Sequence, residues 1–236
     1  MLDRLALEGA ERVLDIGCGT GRVTAEIAAR LPRGSVVGLD RSSNMIETAR
    51  PWLSEHAPSA AVVQADGAAL PFARAFDAVF SGATFHWIRD HAALFRSIIH
   101  ALKPRGRLEA QCGGEGNLAA LKGRADRLMR QPRFAPFFDE WVEPTYYADV
   151  ASTRRRLEAA GFTGIEVWLE AAPTTFDGPD EYRQFVSNVC VRYHVARLPR
   201  DERDAFLREL TLAAVGDAPP FTLDYCRLNI SARRPE

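Results

Sequence analysis

Short apolar runs alternate with segments of helical periodicity along the first half of the chain. Between the runs, apolar residues recur every three or four positions, as at Val23, Ile27 and Leu31, and again over residues 45–52 and 90–102. Strands that alternate with helices in this way predict an α/β domain built on a parallel sheet. The predicted buried strands lie at residues 12–14, 35–40, from 61 onward, 75–81 and 107–111.

The second half of the chain departs twice from this alternation. Helix signals and many aromatic residues fill 118–150, and two further helices are predicted at about 180–197 and at 199–215. Between and after these segments, a helix over 153–160, a strand over 165–169 and a last strand over 222–231 resume the pattern. We expect the two departures to be helical inserts that form a lid over the ligand edge of the sheet. The predicted division is core 1–111, insert 112–150, core 151–170, insert 171–220 and last core strand 221–236.

A glycine-rich turn joins the first predicted strand to the first helix. Gly17, Gly19 and Gly21 allow positive φ and a close approach of the backbone to a ligand, and the amides of the new helix point into the same space. In dinucleotide-binding proteins the pattern is G-x-G-x-x-G, whereas here the third glycine comes one residue early. Asp15 precedes the loop and would repel a pyrophosphate, so this corner suits a ligand with a positive group such as an ammonium.

Acidic residues follow the next strands at the same sheet edge. Asp40 ends the second strand, where a carboxylate can accept both hydroxyls of a ribose, while Ser42 is the expected cap of the following helix. Asp66 and Gly67 follow the third strand. Asp77, inside the fourth strand, is predicted to bind backbone donors and is left out of the site.

An acid followed by G-x-G-x-G resembles the first motif of the class I S-adenosylmethionine-dependent methyltransferases, and the resemblance covers most of the chain at motif level. It implies a doubly wound, seven-stranded, mostly parallel sheet of the Rossmann-like methyltransferase fold, and S-adenosylmethionine as cofactor. It also implies that Asp66 accepts the adenine amino group and that the Gly67 amide contacts the ring. The predicted cofactor-binding residues are Asp15, Gly17, Cys18, Gly19, Gly21, Asp40, Arg41, Met45, Asp66, Gly67 and Ser81.

The loop after the fourth strand has an unusual Phe-His-Trp-Ile composition over residues 85–88. Together with residues 111–117 it resembles the trans-aconitate methyltransferases and the wider group of small-molecule carboxyl methyltransferases. The resemblance places His86 where the methyl group emerges, as a catalytic and substrate-binding residue, and makes Trp87 a wall of the pocket. His86 could hydrogen-bond a carboxylate, take a proton as a base with a reference pKa of about 6.5, or fix its loop through a backbone carbonyl. His56, His91 and His100 are interpreted as surface or helix residues.

The sequence is compatible with three functions. O-methylation of a small carboxylic acid is preferred, because a carboxylate is ionised at neutral pH and needs no base. C-methylation of a quinone-like acceptor would require His86 as a working base, and a third alternative is a binding module without turnover. Arginine or tyrosine side chains should hold the acid, and the candidates are Arg133, Tyr146, Tyr147, Tyr182, Arg192 and Tyr193.

Composition argues against nucleic-acid and membrane partners, while a small-molecule partner is what the resemblance implies. The 236 residues carry a net charge of −1, which argues against a nucleic-acid surface, and no apolar stretch of about 20 residues predicts a membrane span. The four cysteines lack metal-ligand spacing, so we expect free thiols in the cytoplasm and no metal. Only about ten residues, Met1 to Ala10, precede the region of the first predicted strand, where the family has a helix that closes over the cofactor. Either the chain starts short or the inserts close the site. Oligomeric state is left open.

Overall fold

Seven strands form the central sheet, in the order β3-β2-β1-β4-β5-β9-β6. The pairs β1–β2, β1–β4, β2–β3 and β4–β5 are parallel, and β9 runs antiparallel to β5. The strand order therefore reverses between β1 and β4, which is where open α/β sheets bind ligands at their carboxyl edge. The computed structural model describes all 236 residues, and its strands are β1 Arg12–Ile16, β2 Ser35–Asp40, β3 Ala60–Gln64, β4 Phe76–Gly82, β5 Leu102–Gly113, β6 Thr163–Ala171, β7 Thr174–Thr175, β8 Thr222–Leu223 and β9 Cys226–Arg233. The predicted α/β class with a mostly parallel seven-stranded sheet is confirmed.

Eight α-helices accompany the strands, and a π-helical segment, Val186–Cys190, separates two of them. Their bounds are α1 Arg22–Ala29, α2 Ser43–His56, α3 His91–Ala101, α4 Ala119–Met129, α5 Val150–Ala160, α6 Pro179–Phe185, α7 Arg192–Arg197 and α8 Arg200–Ala213. None of the helices is long and apolar enough to cross a membrane.

Side-chain caps mark the starts of α2 and α3. Ser42 accepts a hydrogen bond from the Met45 amide at the start of α2, and Asp90 accepts one from the Ala93 amide at the start of α3. Each cap satisfies a backbone donor that the first turn leaves without an intrahelical partner. Both helix starts were predicted from the sequence. The helices α2 and α3 therefore begin at the predicted points, beyond the carboxyl edge of the sheet.

The chain divides into two units. The first comprises residues 1–115, 145–170 and 227–236 and holds the large sheet. Its core packs strand residues such as Leu14 and Val79 against Leu94, Phe95 and Ile98 of α3, all fully buried. Fully burying such side chains contributes about 1.5–3 kcal/mol each.

The second unit comprises residues 116–144 and 171–226. The two segments predicted as separate inserts thus form one unit, whose core includes Phe134, Tyr182 and Phe206. Arg124 and Asp217, from the two segments, form an ion pair that is mostly buried. The lid role remains a prediction.

Three element predictions are wrong in detail. The last strand, expected over 222–231, is divided: β8 pairs with β7 in the second unit, and β9 joins the large sheet. The helix expected over about 180–197 is interrupted by the π-helical segment. The strand expected at 107–111 begins at Leu102, because β5 pairs with β4 there before the register shifts.

Candidate active site

The glycine loop lies at the carboxyl end of β1. The amides of Gly17 and Cys18 donate to the Leu39 carbonyl of β2 at 2.6 and 3.0 Å. Gly17 has φ +78°, and a Cβ there would lie 1.9 Å from Thr84 Oγ1. Gly19 has φ +54°, and a Cβ there would meet no atom within 4 Å. Gly17 is therefore required by packing, whereas Gly19 leaves the loop open to a ligand.

Asp40 connects this loop to the second strand. One carboxylate oxygen accepts the Gly19 amide at 3.0 Å, and the other accepts the Ser42 amide at 2.9 Å. Asp40 and Ser42 thus have the separate positions the sequence predicted, since Ser42 caps α2 while Asp40 faces the loop. Two backbone donors hold the carboxylate in place and leave its remaining lone pairs to accept further hydrogen bonds.

Asp15 and Cys18 lie behind the loop. Asp15 is 2% exposed and accepts a hydrogen bond from Thr24 Oγ1 at 2.7 Å. Burial, with a smaller effect of the Asp40 charge, raises the pKa of Asp15 to about 6. Burial raises the pKa of Cys18 to about 12, so its thiol is neutral and packs near Gly38.

The third and fourth strands add Asp66, Gly67 and Ser81 to this edge. Asp66 caps the short 3₁₀ turn Gly67–Ala69 by accepting the Ala68 amide at 2.9 Å. Gly67 is buried near Ile16, at the end of β1. Ser81 is 1% exposed and donates to the Ile16 carbonyl at 2.8 Å, so its hydroxyl joins the ends of β1 and β4.

Arg41 and Met45 lie near the carboxyl edge of the sheet, whereas Asp77 lies near the opposite end. Arg41 is exposed just after β2, and Met45 is half-buried in the first turn of α2, both beyond the carboxyl edge. Asp77 lies toward the opposite end, where it accepts the Arg12 amide and a hydrogen bond from Lys103. Its predicted exclusion from the site agrees with these contacts, and the Lys103 partner was not foreseen.

His86 lies in the 3₁₀ turn Phe85–Trp87 that follows β4. Its Nδ1 accepts the amide of Gly113, the last residue of β5, at 3.1 Å. Its backbone carbonyl accepts the Tyr146 amide at 2.8 Å. The His86 ring lies 5.2 Å from the Trp87 ring and 5.8 Å from the Tyr147 ring. His86 and Trp87, predicted together, therefore lie side by side at the ends of β4 and β5.

The hydrogen bond from Gly113 determines the tautomer of His86. A ring nitrogen that accepts an amide N–H carries no proton, so in the neutral ring the proton is on Nε2. His86 therefore has a hydrogen-bond donor at Nε2, while the lone pair of Nδ1 is already engaged.

His91 fixes this loop through a backbone carbonyl. His91 Nε2 lies 3.0 Å from the Phe85 carbonyl oxygen, and the side chain is 1% exposed. The interpretation of His91 as a surface or helix residue is confirmed for the helix, since His91 is the first residue of α3, but the side chain is buried. The apolar positions around it in α3 were the signal that it points into the core.

The six candidates for holding an acid are not equivalent. Tyr182 is fully buried, and Arg133 pairs with Glu202. Tyr146 accepts a hydrogen bond from Arg156 at 3.0 Å. Tyr147 is the candidate whose ring lies beside His86. Gly113 was not singled out from the sequence, although the Gly113-Gly114 pair directly after a strand was a visible signal.

Comparison with known proteins identifies the family of this chain. Residues 13–106 match the methyltransferase domain family. A trans-aconitate 2-methyltransferase of Methylobacterium radiotolerans is 31% identical over 230 residues, which cover 93% of this chain and 84% of the relative. The chain belongs to the S-adenosylmethionine-dependent methyltransferases.

Solved structures show the same fold as this methyltransferase. A Bacillus halodurans C-125 protein described as a methyltransferase superposes with a TM-score of 0.68 at 19% identity, covering 100% of this chain and 97% of that one. Haemonchus contortus phosphoethanolamine N-methyltransferase 2, in complex with phosphomonomethylethanolamine and S-adenosylhomocysteine, gives 0.64 at 22% identity, covering 100% of this chain and 51% of that one. At these identities the likeness concerns the fold alone.

Proposed function

We propose that this methyltransferase transfers a methyl group from S-adenosylmethionine to a carboxylate oxygen of a small organic acid resembling trans-aconitate. The observation that carries the proposal is the hydrogen bond from the Gly113 amide to His86 Nδ1, which leaves the ring with a donor at Nε2. A carboxylate is the acceptor that such a donor serves, because it is ionised at neutral pH and needs orientation but no base. The relatives named trans-aconitate 2-methyltransferases support the same substrate class.

The residues at the carboxyl edge fit the cofactor. When bound, S-adenosylmethionine supplies a methyl group activated by its sulfonium. Gly19 leaves room where a side chain would project, and the neighbouring Asp40 carboxylate is oriented by two amides and can accept the ribose hydroxyls. Asp66 and Gly67 would hold the adenine, and Asp15 would attract the ammonium group. The remaining predicted contacts to the cofactor are Gly17, Cys18, Gly21, Arg41, Met45 and Ser81.

The acceptor side would consist of three neighbouring rings. His86 would donate from Nε2 to one carboxylate oxygen and so point the other toward the methyl group. Trp87 and Tyr147, whose rings lie 5.2 and 5.8 Å from that of His86, would form walls that exclude water.

C-methylation is less well supported by the same geometry. A carbon acceptor must first lose a proton, which requires a base with an available lone pair. In His86 the lone pair of Nδ1 accepts the Gly113 amide and Nε2 carries the proton. No other observation at this edge favours a carbon acceptor.

The test is a panel of acceptors assayed by the formation of S-adenosylhomocysteine. Trans-aconitate and other di- and tricarboxylic acids form one group, and quinols form the other. We expect turnover only with carboxylic acids, and a loss of that turnover in Asp40→Ala. Asp177→Asn, an exposed aspartate in the second unit, is the control. Turnover with quinols and with none of the acids would refute the proposal.

A further inference from the structure

A cavity of about 250 Å³ lies between α3 and α5, within the first unit. Arg96 of α3 and Arg155 and Arg156 of α5 line it together with Ser152, and the other lining residues are alanines. No acidic side chain is among them. The cavity therefore combines three guanidinium groups with small residues that leave open space.

Two of these arginines have no carboxylate partner. Arg96 and Arg155 are exposed and take part in none of the ion pairs of the chain. The charge of Arg155 does act on Asp149. However, both carboxylate oxygens of Asp149 accept hydrogen bonds from Ser152, at the start of α5. Positive charges that share one cavity repel each other, and no carboxylate forms an ion pair with any of the three arginines.

Arg156 is held in the cavity by neutral groups. It donates to Ser152 Oγ at 3.1 Å and to the Tyr146 hydroxyl at 3.0 Å. Neither partner neutralises its charge. Arginine presents five donors in a planar fork that matches carboxylate and phosphate oxygens, so all three side chains are suited to an anion.

We propose that this cavity is a binding site for a small oxyanion with two or more negative charges, such as a phosphate ester or a polycarboxylate. Its volume of about 250 Å³ lies just below the range of drug-sized ligand pockets, so its occupant must be small. The net positive charge of the sulfonium cofactor disfavours it as the occupant. The proposal is independent of the acceptor proposed above, because the cavity is lined by residues of α3 and α5 and by none of His86, Trp87 and Tyr147.

Arg156 is linked to the His86 turn through Tyr146, so it is not a suitable position for the test substitution. Because Tyr146 binds Arg156 through its hydroxyl and His86 through its amide, changing Arg156 would also disturb the turn that holds His86. Arg96 and Arg155 make no such contacts, so the double variant Arg96→Gln/Arg155→Gln alters the cavity and should leave the fold intact. The matched control is Arg50→Gln/Arg208→Gln, which removes two exposed helical arginines that do not line this cavity.

The experiment is titration calorimetry with pyrophosphate and, separately, with citrate, in saturating S-adenosylhomocysteine. We expect at least one anion to bind the wild type and the control equally, and the cavity variant at least tenfold more weakly. Binding of pyrophosphate alone would identify a phosphate-bearing ligand, and binding of citrate alone a polycarboxylate. Absence of binding to the wild type, or equal affinity for the cavity variant, would overturn the proposal. Equal affinity would place the anion elsewhere, including the acceptor site.

Discussion

At the scale of single residues, His86 shows how a backbone amide can determine side-chain chemistry. The Gly113 amide occupies Nδ1, so the ring is a donor at Nε2. His86→Gln retains a donor and cannot act as a base, whereas His86→Phe can neither donate a hydrogen bond nor act as a base. We expect kcat/KM for the acid to fall about 10- to 100-fold in His86→Phe, as for the loss of a hydrogen bond to a charged group, and less in His86→Gln.

The control for this comparison is His100→Gln, since His100 is exposed on α3. Steady-state kinetics of all three variants measure the difference. Equal inactivity of His86→Gln and His86→Phe would show that His86 works as a base.

Asp40 gives a second prediction at this scale. Asp40→Ala removes the acceptor of the Gly19 and Ser42 amides as well as the proposed ribose contacts. Leaving hydrogen-bonding groups unpaired costs about 1–3 kcal/mol, so affinity for S-adenosylhomocysteine should fall by about 5- to 150-fold. Calorimetry beside Ser42→Ala, which removes the helix cap but keeps the carboxylate, provides the comparison. Unchanged affinity in Asp40→Ala would contradict the cofactor role of this strand end.

Residue positions were predictable where the backbone pattern alone determines them. Asp40 and Ser42 follow directly from a strand that ends and a helix that begins. The roles of His91 and Tyr147 depend on how α3 and residues 145–147 pack around the His86 turn. No local pattern contains that information, because the partners are distant in sequence.

At the scale of elements, Gly17 and Gly19 of the glycine loop are needed for different reasons. In Gly17→Ala the new Cβ would overlap Thr84, and φ is positive, whereas Gly19→Ala has only the positive φ to accommodate. We expect Gly19→Ala to lower the free energy of unfolding by about 1–2 kcal/mol and Gly17→Ala by clearly more. Urea denaturation measures both, and Gly178→Ala, which has neither positive φ nor close neighbours, is the control. A smaller loss in Gly17→Ala than in Gly19→Ala would contradict this packing.

Elements in the first half of the chain were predicted well because each has an apolar run and a cap or a glycine at its end. The second strand was predicted with its observed bounds, Ser35–Asp40. In the second half, β8 and β9 follow one another so closely that their joint sequence has the pattern of a single strand. Their separation depends on pairing with different partners, β7 and β5, which is a tertiary effect.

At the scale of the whole molecule, burial of Asp15 makes folding stability depend on pH. Its pKa rises from 3.8 to about 6 on folding, so the folded state holds this proton more tightly than the unfolded state. The stabilisation is fully present below pH 3.8 and is lost as pH rises through about 6. Asp15→Asn should remove this dependence while keeping an acceptor for Thr24.

Urea denaturation of the cofactor-free protein between pH 4 and pH 7 measures this effect. The free energy of unfolding of Asp15→Asn, relative to wild type, should rise by about 2.5 kcal/mol across that window. Asp177→Asn, an exposed aspartate, should show no such trend. A constant difference between Asp15→Asn and wild type at every pH would show that Asp15 titrates alike in the folded and unfolded states.

The chemical bond formed by the transferred methyl group tests the central claim most directly. The enzyme is incubated with trans-aconitate, or with the acid that reacts fastest, and S-adenosylmethionine labelled with ¹³C in its methyl group. The product is examined by NMR before and after mild alkaline hydrolysis. The account predicts a methyl carbon bonded to oxygen, which alkali releases as labelled methanol while restoring the acid. A methyl carbon bonded to carbon, stable to alkali, would contradict it.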